Sequence, residues 1–158
     1  MLSNALSSLK PLTLSAEKLT LTDNILPADL FALLAKQPWA IWLDSGESDH
    51  NDACFDIMVW QPQVTLCTYG RQTQIHETTT NTTQLSDADP LALITTFQQQ
   101  VLTPLPQSSL GLPFLGGAVG YFGYDLGRRF ETLPEQAAQD ISLPDMAVGI
   151  YSQAVIYD

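Results

Sequence analysis

Residues 114–131 read FLGGAVGYFGYDLGRRFE, which places five glycines and two adjacent arginines in eighteen positions. Such residues can hold a phosphate, because glycine lets backbone N–H groups approach an anion and arginine grips one with a bidentate fork. The spacing argues against it. A Walker A loop needs glycine, four residues, then Gly-Lys-Ser/Thr, and no lysine follows a glycine here. A dinucleotide fingerprint needs G-x-G-x-x-G, whereas the glycines fall at 116, 117, 120, 123 and 127. A looser anion nest lacks the βαβ setting that positions one.

A strand explains the spacing better. Alternation puts Leu115, Gly117, Val119 and Tyr121 on one face and Gly116, Ala118, Gly120 and Phe122 on the other. The second face is nearly bare until Phe122, so a backbone, a helix or a ligand is expected to approach it closely. Gly116, Gly117, Gly120 and Gly123 are read as structural glycines of this strand. Arg128 and Arg129 are expected to form ion pairs with Asp125 and Glu131 at helical spacing.

Other constellations are sparse. His50 sits in DHND, where it could act as a general base, bind a metal or lie in a solvated loop. His76 falls in an alternating stretch and reads as exposed. Cys54 and Cys67 lie thirteen apart with no companion pair, which matches no zinc or redox spacing, so both read as small buried hydrophobes. Neither Gly-x-Ser-x-Gly, His-Glu-x-x-His nor an EF-hand loop occurs. By itself the chain does not read as a complete active site.

The elements that must carry these residues follow from periodicity. Residues 12–22 alternate loosely and suit one or two short strands. Pro27-Ala28-Asp29 opens a helix with Leu30, Phe31, Leu33 and Leu34 as its stripe, ended by Pro38. An apolar run, PWAIWLDSG, follows as a strand closed by a turn at Ser45-Gly46. Residues 54–60, 64–69 and 72–77 read as a three-stranded meander, and 78–83 as its extension or a loop. Asp89-Pro90 caps a helix with Leu93, Ile94, Phe97 and Val101 at helical spacing. Residues 114–122 form a strand, 124–130 a short helix and 146–157 one long final strand. This order predicts an α+β fold, mainly antiparallel β-sheet with helices packed on one face.

Composition narrows the function. The 158 residues carry a formal charge of -11, with 45% hydrophobic residues, enough for a core and too acidic for nucleic acid or an anionic membrane surface. The N-terminus has neither a basic region nor a continuous apolar run, so no signal peptide is read and the cytoplasm is expected.

Three stretches carry a resemblance: PWAIWLDSG with DHNDACFDI, FLGGAVGYFGYDLGRRFETLP, and LPDMAVGIYSQAVIYD. Together they resemble the N-terminal region of the chorismate-utilising synthase subunits. Gly-Arg-Arg-Phe-Glu and Met-Ala-Val-Gly-Ile-Tyr favour the para-aminobenzoate (aminodeoxychorismate) synthase component I branch over anthranilate synthase component I. The resemblance implies the N-terminal part of the chorismate-utilising enzyme fold. It also implies a system in which a glutamine amidotransferase subunit supplies ammonia and component I adds it to chorismate with magnesium, giving 4-amino-4-deoxychorismate for para-aminobenzoate and folate.

On this resemblance residues 1–158 form a single N-terminal domain with no catalytic residue, cofactor or metal site of its own. The chorismate pocket and magnesium carboxylates belong to a C-terminal region outside the chain, so the chain alone is expected to be inactive. The family's tryptophan-type pocket would map to Leu43 and Ser45 with Asp52, Ala53, Cys54 and Phe55. A free-standing module that binds L-tryptophan and the same domain of an anthranilate synthase are the alternatives.

Overall fold

The computed structural model describes residues 15–21, 25–46, 54–102, 111–134 and 141–158. Two antiparallel sheets organise them. The larger contains β3 (Val64–Tyr69), β4 (Gln72–Glu77), β5 (Thr82–Ser86), β6 (Gly117–Phe122) and β7 (Met146–Tyr151), in the order β5-β4-β3-β7-β6. The smaller contains β1 (Ile41–Leu43), β2 (Asp56–Val59) and β8 (Ala154–Tyr157), in the order β1-β2-β8.

Helix α2 (Pro90–Val101) covers one face of the larger sheet. The Asp89 carboxylate accepts from the Leu91 N–H at 2.8 Å, and Pro90 takes the first helical position, where its missing N–H costs nothing. Leu93, Ile94, Phe97 and Val101 are buried as their spacing predicts. They meet Leu66, Ile75, Met146, Val148 and Ile150 from the inner phase of β3, β4 and β7. Phe97 retains 1% of its exposure; burying such a side chain is worth about 2–3 kcal/mol.

The opposite face of the larger sheet meets the smaller one through Val59, Val119 and Tyr151. The Tyr151 hydroxyl donates to the Trp39 carbonyl at 2.9 Å, and burial pushes its pKa up to about 12 from 10.0. A phenol whose folded pKa is raised contributes stability in full below its unfolded value near 10 and loses it as pH climbs toward 12. We therefore expect Tm to fall between pH 10 and pH 12, and to fall less steeply in Tyr151→Phe. An unchanged slope in that variant would remove Tyr151 as the cause.

Three expectations are corrected. The final strand does not run through residues 146–157: it breaks at Ser152-Gln153 and passes from one sheet to the other. Both break residues are polar and held from outside the ladder. The Ser152 hydroxyl accepts from Gln63 Nε2 at 3.3 Å, and Gln153 Nε2 donates to the Trp60 carbonyl at 3.3 Å. Residues 15–21 form no strand, and Leu19 and Leu21 stay 73% and 42% exposed. Their leucines change phase between Leu14 and Leu19, so no single face could be buried. The rest of the predicted 12–22 stretch lies outside the described residues.

Third, α1 (Pro27–Leu34) ends before Pro38 is reached and buries no residue completely. It rests on β1 through Phe31, whose ring centre lies 5.5 Å from that of Trp42, while Leu33 of the predicted stripe points outward at 75% exposure. The threonine tract resolves into a turn with Asn81 at φ 52°, followed by β5.

Candidate functional site

Strand β1 pairs with β2 up to Leu43↔Ile57, and both chains then continue past the ladder. There the buried Asp56 carboxylate takes charge of the turn. Its Oδ1 accepts from the Ser45 N–H at 2.8 Å and from the Ser45 hydroxyl at 3.2 Å. Asp44 Oδ1 accepts from the Gly46 N–H at 2.8 Å, which tightens the same turn, with Gly46 at φ 67°. Since the Ser45 hydroxyl spends its proton on Asp56, it can meet a further partner only as an acceptor. A turn holding a carboxylate and an acceptor hydroxyl suits an ammonium group.

Of the six positions expected to form a ligand pocket, Leu43 is 44% exposed at the end of β1, Ser45 and Phe55 are half-buried, and Cys54 is exposed. Leu43, Ser45, Cys54 and Phe55 thus sit at one end of the smaller sheet. Asp52 and Ala53 lie outside the described residues, as does His50. The residue that sequence reasoning missed is Asp56. Its signal was a single acid inside the apolar stretch CFDIMV, where a buried carboxylate needs donors.

A concave region lies at the other end of β1. A cavity of about 550 Å³ opens among Trp39, Gln61, Gln63, Thr78 and Gln153. Trp39 and Gln61 adopt φ 57° and 48°, in the left-handed region that side chains rarely occupy. The amides here are already engaged: Gln61 Nε2 donates to Gln37 Oε1 at 2.7 Å, and Thr79 donates to Gln63 Oε1 at 3.3 Å.

In the glycine run, β7 lies directly against β6. A Cβ on Gly120 would stand 2.1 Å from the Ala147 carbonyl oxygen and 2.7 Å from Val148 Cα. One on Gly116, which has φ 102°, would meet the Tyr151 carbonyl oxygen at 3.0 Å and the Leu102 side chain at 3.2 Å. Gly117 begins β6 beside the Phe114 ring, and the Gly123 N–H donates to the Asp145 carbonyl at 2.7 Å.

The arginines divide their work. Arg128 Nε donates to Asp125 Oδ1 at 2.8 Å, as the spacing predicts, and its other nitrogens reach the Leu133 and Pro134 carbonyls at 3.0 and 3.2 Å. Arg129 corrects the ion-pair expectation. It donates to the carbonyls of Arg71, Asp87 (3.0 Å) and Ala88 (2.8 Å), three oxygens from two distant loops. A planar guanidinium can serve several carbonyls at once, which a carboxylate partner would prevent.

The two cysteines differ from the buried pair expected. Neither is in a disulfide; Cys54 is exposed, while Cys67 lies half-buried in β3, where burial pushes its thiol pKa up and keeps it protonated. His76 is half-buried in β4, with Nδ1 3.0 Å from the Thr83 hydroxyl. Among the described residues no three of His, Cys, Asp and Glu converge in a way that could hold a metal ion. Among them too, no helix is long and apolar enough to cross a membrane.

No protein-family profile matches the chain. Individual relatives do. It is 54% identical over 129 residues to aminodeoxychorismate synthase component 1 of Klebsiella aerogenes, a match covering 81% of this chain and 28% of that protein. It is 51% identical over 131 residues to the protein of the same name from Escherichia coli (strain K12), with the same coverage. Anthranilate synthase component 1 of Acinetobacter calcoaceticus is 33% identical over 152 residues, covering 92% of this chain and 30% of that protein. The chain therefore spans less than a third of the length of these relatives. Among solved structures, anthranilate synthase component I from Streptococcus pneumoniae TIGR4 matches 91% of the chain and 29% of its own, with a TM-score of 0.54 and 24% identity. That likeness supports the fold.

Proposed function

Because the chain belongs to the family of aminodeoxychorismate synthase component 1 and anthranilate synthase component 1 proteins, we propose that it forms the N-terminal domain of an aminodeoxychorismate synthase component 1. In this reading the complete cytoplasmic enzyme aminates chorismate to 4-amino-4-deoxychorismate with ammonia from a glutamine amidotransferase subunit. One observation carries the branch. Identity is 54% to the Klebsiella aerogenes protein and 33% to an anthranilate synthase component 1 over comparable stretches.

The chain's own part is scaffolding and ligand binding. Among the described residues no three of His, Cys, Asp and Glu come together to hold the magnesium proposed for the complete enzyme. The smaller sheet is read as one wall of an amino-acid pocket, with Leu43 and Phe55 for an apolar side chain and the Ser45–Asp56 pair for its ammonium. L-Tryptophan is the ligand proposed for it.

The test has two arms. The polypeptide carrying this chain is incubated with chorismate, ammonium and magnesium. Formation of 4-amino-4-deoxychorismate without fluorescent anthranilate is expected, and anthranilate as the product would reassign the branch. The 158-residue chain alone is expected to turn over no chorismate. Calorimetric titration of the same polypeptide with L-tryptophan should give heat that Asp56→Asn reduces about tenfold in affinity. No heat with wild type near the millimolar range would remove the pocket and leave the enzyme reading intact.

A further inference from the structure

We infer that Tyr151 is a positioning residue for the Ser45–Asp56 turn, acting through Trp39 and β1, on the reading above that this turn receives the ammonium of an amino acid.

Strand β1 is lightly held. It spans three residues, Ile41–Leu43, and among the described residues it pairs with β2 alone, at the edge of the smaller sheet. Helix α1 lies over it through the Phe31–Trp42 ring contact but buries none of its own residues completely. With so few contacts, the course of the strand depends on what fastens its two ends. At the far end Ser45 is fastened to Asp56.

The near end turns on Trp39, whose φ of 57° lies in the left-handed region. A tryptophan there costs energy and keeps that conformation only where its surroundings impose it. Two hydrogen bonds do so. The Gln61 N–H donates to the Pro38 carbonyl at 2.9 Å, and the Tyr151 hydroxyl donates to the Trp39 carbonyl at 2.9 Å. These carbonyls belong to the peptide planes before and after the Trp39 Cα, and φ and ψ are the rotations between those planes. The second plane is otherwise held by a longer bond, from the Ala40 N–H to the Gln37 carbonyl at 3.3 Å. Without the Tyr151 hydroxyl, Trp39 can relax toward the extended region and redirect the chain as it enters β1.

The larger sheet presents Tyr151 for this contact. The residue is completely buried, and its ring lies back over Gly149, two residues earlier on the same face of β7. A Cβ on Gly149 would stand 2.7 and 2.8 Å from Cε2 and Cζ of that ring and 2.9 Å from Pro62 Cβ. Since Cζ carries the phenolic oxygen, a side chain at 149 would push the hydroxyl off Trp39. The Met-Ala-Val-Gly-Ile-Tyr stretch thus has a physical reason: its glycine seats its tyrosine.

The experiment uses the polypeptide carrying this chain and two readouts. One is affinity for L-tryptophan by calorimetry; the other is the exchange rate of the Ser45 amide, which needs no ligand. In Tyr151→Phe, affinity is expected to fall about fivefold and Ser45 exchange to quicken about fivefold, because an edge turn exchanges by local opening. Gly149→Ala should act the same way with the hydroxyl still present. Arg129→Ala loosens loops of the larger sheet and also lowers Tm, yet it should leave both readouts within about twofold.

Circular dichroism checks that the variants are folded, and Tyr151→Phe serves alone if Gly149→Ala is not. If wild type binds, unchanged affinity or unchanged Ser45 exchange in folded Tyr151→Phe overturns the positioning role while the pocket stands. Equal losses in Tyr151→Phe and Arg129→Ala overturn it too, since general loosening then accounts for both. No heat from wild type near the millimolar range removes the pocket, and Ser45 exchange still decides whether Tyr151 holds the turn.

Discussion

Replacing Gly120 by alanine or by valine is expected to destabilise the protein by about 3 kcal/mol, equivalent to a fall of about 6–12 °C in Tm. The residue is exposed, and exposed substitutions usually change stability by less than about 0.5 kcal/mol. β-Propensity alone would predict that valine stabilises an edge strand relative to glycine. Geometry reverses that sign. The first carbon of any side chain would stand 2.1 Å from the Ala147 carbonyl oxygen and 2.9 Å from its carbon. These are backbone atoms held in the β3–β7 and β6–β7 ladders, so no side-chain rotation relieves the overlap. Alanine should therefore cost nearly as much as valine, because the Cβ itself makes the clash. Thermal unfolding of both variants checks this. A Tm within about 1 °C of wild type, or a stabilising valine, would show that β7 does not lie this close to β6.

Arg129→Ala should cost about 2 kcal/mol, and Arg129→Lys nearly as much. The guanidinium spans the carbonyl of Arg71, at the β3–β4 turn, and those of Asp87 and Ala88, which lead into α2. A lysine ammonium is a single point and cannot hold both loops at once. Arg128 provides the comparison. Its ion pair with Asp125 is 2.8 Å long, but the two side chains are 37% and 59% exposed. Exposed pairs of this kind contribute about 0–1 kcal/mol, and its two carbonyls lie within six residues along the chain. Arg128→Ala should thus have the smaller effect. Hydrogen exchange gives an independent readout: amides near Arg71 and Ala88 should exchange faster in Arg129→Ala. Equal losses for the two arginines, with exchange unchanged, would show that Arg129 fastens neither loop.

The two residues act on neighbouring elements. Gly120 keeps β6 seated on β7 and so sets where the 3₁₀ turn Tyr124–Arg129 begins. Arg129 then fixes that turn against the rest of the sheet.

Several features could be read directly from the sequence. Helix α2 was legible because Asp89-Pro90 and the spacing of Leu93, Ile94, Phe97 and Val101 are local signals, complete within the helix and its cap. Strands β3 and β4 were legible for the same reason, their alternation being bounded by Gly70 and Arg71. The bare face at Gly120 also announced that something must come close.

What came close was decided by tertiary structure. Nothing local tells residues 146–151 and 154–157 to join different sheets, since both segments are continuously apolar. Their separation follows from β3 and β6 on one side and β2 on the other, partners distant in sequence. Asp56 meets Ser45 across eleven residues, and Arg129 reaches carbonyls 41 to 58 residues away. Periodicity and capping act between neighbours along the chain, so one sequence determined those elements by itself. Pairing between sheets, a buried carboxylate's donors and an arginine's carbonyls depend on which segments meet in space, and only the folded chain fixes that.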